Sequence, residues 1–96
     1  MDEQQKADDW RSLRVGDLVR FVRMPSGVNA PGYTFHASTR RLYKRLIARR
    51  RRARVFRVDA WGLPWIRARF KRKDGRWEHH SLAINDDSWV RVRRRR

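Results

Sequence analysis

In residues 54–84, RVFRVDAWGLPWIRARFKRKDGRWEHHSLAI, apolar and polar residues alternate in runs, most clearly over 65–71. A period of two sends successive side chains to opposite faces of an extended strand, so the stretch favours β structure with one face to bury. Gly62-Leu63-Pro64 and Asp74-Gly75 divide it into three runs. Asp-Gly suits a type I′ hairpin turn, whose central residues must both tolerate positive φ. Strands joined by such short turns run antiparallel. In the first run, 54–62, Val55, Arg57 and Asp59 alternate with Phe56, Val58 and Ala60. In the second, 65–73, Ile66, Ala68 and Phe70 face inward, and Arg67, Arg69 and Lys71 outward. The third, 76–84, is the returning strand.

The flanks add two strands and a helix. LRVGDLVRFVRMP (13–25) reads as a first strand after a Val15-Gly16-Asp17 turn, with Val19 and Phe21 favoured as its inward residues. From Met24 to Ala37, Pro25, Gly27, Pro31 and Gly32 mark a long loop, which Tyr33 and Phe35 are expected to pin to the body. A helix over 39–51 follows, with Ser38 or Thr39 as its N-cap. At 100° per residue, Leu42, Tyr43, Leu46 and Ile47 fill an apolar arc of about 140°. Arg50 falls inside that arc, so the last turn should lift off the core. Asn85 to Ser88 makes a tight turn before a short closing strand, WVRV (89–92).

The expected fold is therefore mostly β: five strands, with one helix inserted in the first long loop. This order resembles the SH3-like small barrels, a group that includes the Tudor-like and KOW-like domains. VGDLVRF (15–21), DGRWEHHSLAI (74–84) and DDSWVRV (86–92) carry the likeness, which in outline covers residues 13–92. The resemblance implies a barrel closed by its terminal strands, with binding loops on one rim. The basic helix in the first loop departs from the Tudor-like pattern, and no aromatic cage for methyl-lysine is legible. An acidic, flexible N-terminal segment (1–12) is expected before the barrel and a basic tail (93–96) after it. A chain of 96 residues has room for one modest core.

Charge limits the function. The ten residues MDEQQKADDW carry a net charge of −3, while residues 11–96 carry 25 Lys and Arg against six acids, a net of +19. Twenty-two of the 26 basic residues are Arg. Such an excess points to a polyanionic partner: nucleic acid first, then an acidic protein, then an anionic membrane surface. No apolar run is long enough to span a bilayer, and the acidic start lacks the features of a secretion signal, so a cytoplasmic protein is expected. The absence of cysteine excludes disulfide scaffolds and thiolate metal sites.

No enzyme motif is present: there is no HExxH, phosphate loop or nucleophile elbow, and no cofactor is expected. His79 and His80, adjacent in a strand, point to opposite faces and cannot share a metal. Site candidates are thus the cations and aromatics. On the helix they are Arg41, Lys44, Arg45, Arg49 and Arg52; on the strands, Arg54, Arg57, Arg67, Arg69 and Lys71. Trp61, Trp65 and Trp77, near strand ends, can stack on unpaired bases. In so small a domain any of them also has a core to fill. The leading expectation is a monomeric, non-enzymatic nucleic-acid-binding module whose arginine-rich helix and strand face contact phosphates, with the helix supplying most of the binding. The alternative is an interaction module docking onto an acidic protein or a larger assembly, with apolar anchors and an arginine rim.

Overall fold

A computed structural model describes residues 9–26 and 36–93. Its strands are β1 (Leu18–Phe21), β2 (Ala53–Val58), β3 (Pro64–Lys71), β4 (Trp77–Ala83) and β5 (Trp89–Val92), and helix α1 (Ala37–Arg49) lies between β1 and β2. All strand pairings are antiparallel, in the order β4-β3-β2-β1-β5.

The sheet is not closed, which corrects the SH3-like barrel expectation. β4 and β5 are its two edges, whereas a barrel needs such edges to hydrogen-bond to one another. The β1–β2 joint is short, with only Leu18↔Arg54 and Val19↔Ala53 paired. A barrel buries its inner face by curling; here α1 covers much of that face. Leu42, Tyr43 and Leu46 enter one core with Val19, Phe21, Val55, Ile66, Ala68, Ile84 and Trp89. The Tyr43 ring meets Phe21 edge-on at 5.9 Å.

Asp86 ties helix to sheet. It accepts a 2.5 Å bond from the Tyr43 hydroxyl and two from Ser88, and its carbonyl accepts the Trp89 indole N–H at 2.9 Å. Trp89, fully buried, is thereby satisfied at its one polar atom. Asp87 in the same turn accepts bonds from the Ser26 backbone and hydroxyl, fixing the start of the long loop.

Several local expectations change in detail. The helix starts and stops two residues early, and its N-cap position holds His36, whose side chain caps nothing. Arg50 ends the helix with φ 55° and ψ 30°, leaving the helical path where the apolar arc predicts. At Asp74-Gly75 only Gly75 has positive φ, at 88°, and its N–H bonds to the Arg72 carbonyl. This is a three-residue loop with a glycine bulge instead of the type I′ turn. At the N-terminal side, Trp10–Ser12 form a single 3-10 turn capped by Asp9, and Trp10 packs on the core. Tyr33, Phe35, residues 1–8 and residues 94–96 lie outside the described residues.

Candidate nucleic-acid interface

Register decides which candidate side chains meet. The pairs Arg67↔Ser81, Arg69↔His79 and Lys71↔Trp77 alternate with Ala68↔His80 and Phe70↔Glu78. By parity, the first set shares the outer face of the β3–β4 ladder and the second faces α1. β2 joins the outer face through an irregularity. Val55 pairs with Ile66 and Arg57 with Trp65, so two β2 residues, Phe56 and Arg57, stand against one on β3. Phe56 follows the buried Val55 and so lies outward under Arg67, and the bulge re-aims Arg57 to the same face.

Three guanidinium–aromatic pairs result. Arg67 lies over Phe56 at 3.9 Å, Arg69 over Trp77 at 4.5 Å and Arg57 over Trp65 at 5.3 Å. The Lys71 ammonium adds a contact at 5.5 Å to Trp77. Arg57, Arg67, Arg69 and Lys71 are all exposed, and among the described residues none has a carboxylate within ion-pair reach. Arg67, Arg69, His79 and Ser81 line an open groove of about 480 Å³.

Asp59 builds the adjoining hairpin. Its carboxylate accepts 2.9 Å bonds from the backbone N–H groups of Trp61 and Leu63 and from the Trp65 indole. Those bonds, the indole's first, together with the charge of nearby Arg57 beyond ion-pair distance, hold its carboxyl below the usual range. The Trp65 ring is half-buried as a consequence, while Trp61 at the hairpin tip is 84% exposed. Trp77 is 45% exposed.

The helix candidates divide. Arg45 donates to Glu78 at 2.7 Å and lies over the Phe70 ring at 3.9 Å. Arg49 lies over the same ring at 4.7 Å and donates to the Arg69 carbonyl at 3.1 Å. Glu78 is held below its usual range, first by Arg45 and then by His80. Burial lowers the Arg49 pKa, with Arg51 and Arg45 adding to the effect. Arg45 and Arg49 thus hold the helix to the sheet, and only Arg41, Lys44 and Arg52 of the five are exposed. Arg54 is exposed as well, opposite Leu18 at the β1–β2 joint. The helix and the outer stripe therefore occupy opposite sides of the β3–β4 ladder.

Phe56 is the site residue that sequence reasoning missed. Plain alternation puts it on the face opposite Arg57, and no local signal announces the bulge. Among the described residues no cluster of His, Asp and Glu is placed to hold a metal, and no helix is long and apolar enough to cross a membrane. No family model, curated protein or solved structure matches the chain.

Proposed function

We propose that the protein is a non-enzymatic nucleic-acid-binding module whose outer β2–β3–β4 face contacts the phosphate backbone. The observation that carries this reading is the row of three arginines on aromatic rings with no carboxylate in ion-pair reach. A guanidinium held on a ring keeps N–H donors at its edge, and its planar fork matches phosphate oxygens. Because the rings already restrict these side chains, less freedom is lost on binding. Arg41, Lys44 and Arg52 add cations on the far side, where they attract a polyanion without sharing its contact surface. The cytoplasm, where nucleic acid is abundant, is the compartment this reading carries.

Titration of labelled random-sequence DNA and RNA tests it. The logarithm of the binding constant should fall with log salt at about −0.9 per duplex phosphate neutralised, or about −0.7 per single-strand phosphate. Absence of binding to either at ~50 mM salt overturns the proposal.

A second reading, docking onto an acidic protein, draws support from Trp61 and Val58, which are 84% and 39% exposed around one hairpin. Nucleic acid retained through purification, seen as 260 nm absorbance that nuclease removes, favours the first reading over this one.

A further inference from the structure

We infer that the outer face selects single-stranded over duplex nucleic acid, with unpaired bases stacking on Trp77 and Trp61; the inference rests on the nucleic-acid reading above. Phosphates alone cannot discriminate, since both forms present them. The aromatics can. In a duplex the base faces are covered by their neighbours, and only edges show in the grooves. An indole lying on a sheet face has no ring to meet there, whereas a single strand turns its bases outward.

Both tryptophans are free to take that role. Trp77 is 45% exposed and stands apart from the buried core, paired across the ladder with Lys71. Its ring contacts are the cations Arg69 and Lys71. A base stacking on the indole or on the Arg69 guanidinium extends a stack that already exists, with its phosphate near the same charges. Trp61 is 84% exposed yet sits on a fixed turn. Its N–H bonds to Asp59, the Gly62 N–H to the Asp59 carbonyl, and the Asp59 N–H to the Leu63 carbonyl. An apolar ring held in water on a braced turn gains by being covered. Arg67, Arg69 and Lys71 lie on this face along about 14 Å of strand. A short extended strand can follow that row with a base on Trp77 at its Lys71 end, and Trp61, on the β2–β3 turn past the other end of β3, offers a second ring to a longer strand.

The test compares a single-stranded RNA, a single-stranded DNA and a duplex, each of about 16 nucleotides per strand, at one salt concentration. Three proteins are used: the unaltered chain, a Trp61→Ala/Trp77→Ala variant, and a Trp61→Phe/Trp77→Phe variant. The unaltered protein should prefer the single strands. The alanine variant should lose tenfold or more of its single-strand affinity with an unchanged salt slope, and a much smaller part of its duplex affinity, since only the ring that restrains Arg69 is lost there. The phenylalanine variant should recover most of the loss, because a ring face is restored without charge. Equal affinity for duplex and single strand, or an equal loss on both with alanine, overturns the inference and leaves the phosphate-binding function standing. Failure to bind any of the three overturns both.

Discussion

At the scale of residues, two tryptophans of the same chain do opposite work, and burial separates them. Trp89 is fully buried with its indole N–H satisfied, and Trp77 is 45% exposed on rings of charge. Trp89→Ala should cost roughly 3–5 kcal/mol, as large-to-small changes in a core do. That is a large share of the ~5–15 kcal/mol expected for a domain. Trp77→Ala should cost under about 1 kcal/mol. Urea unfolding measures both, and equal losses would mean that the inner and outer faces are wrongly assigned. Carboxylates add a dependence on pH. Asp17 is held below its ordinary 3.8, first by the Arg14 backbone N–H and also by Arg91 at 2.8 Å. Glu78 lies below its ordinary 4.5 through Arg45 and His80. A depressed folded pKa stabilises the native state above the unfolded value, and that stability is lost as pH falls through the folded value. The urea midpoint should therefore be flat from pH 7 to about 5 and decline below about 4.5. Asp17→Asn should lower the midpoint at pH 7 and shallow the acid decline; the same decline in that variant would remove Asp17 from the account.

At the scale of elements, the helix is held more by its packing than by its ends. It has no acid in its first turn, no side-chain cap at His36, and a non-glycine residue in left-handed conformation at its close. Arg50 at φ 55° is exposed and its conformation is one that glycine adopts without strain. Arg50→Gly should stabilise the protein by about 0.5–1 kcal/mol, read as a higher thermal midpoint. A lower midpoint would show that the Arg50 side chain contributes more than its backbone costs. This helix also shows where sequence is legible and where it stops. Leu42, Tyr43 and Leu46 were readable as the buried arc because periodicity is a local property, and the inward Val19, Phe21, Ile66 and Ala68 follow from the same logic. Closure of the sheet depends on whether its edges β4 and β5 pair, and although only residues 84–88 separate them, alternation says nothing about whether they meet. Half of the candidate site was legible for the same reason. Arg67, Arg69 and Lys71 share a face by parity alone, but a bulge is what sets Arg57 on the same face as Phe56, and Arg45 and Arg49 leave the site through contacts with Phe70 and Glu78 that only the tertiary fold creates.

At the scale of the whole molecule, the question is whether position matters to a protein with a net charge of +16. A diffuse field draws a polyanion from any side, and its strength depends on the number of charges. A contact surface differs, because only the cations that displace counterions from phosphates set the salt slope. The arrangement on two sides of the ladder makes these alternatives separable. One variant converts Arg57, Arg67 and Arg69 to Gln; the other converts Arg41, Lys44 and Arg52 to Gln. Both lose three charges from exposed side chains, and both spare Arg45 and Arg49, which hold the helix to Phe70 and Glu78. The outer-face variant should flatten the single-strand salt slope by about 2, near 0.7 for each lost phosphate contact. In the helix variant the slope should flatten far less, because the fall in affinity at low salt is modest and vanishes as salt screens the field. Glutamine is shorter but keeps the inner methylenes and some hydrogen-bonding capacity, and all six positions are exposed, so neither change opens a hole in the structure. Equal flattening in the two variants would assign binding to charge irrespective of place. A larger effect from the helix would move the interface to the other side of the sheet, where Arg49 to Arg52 lead from the helix into β2.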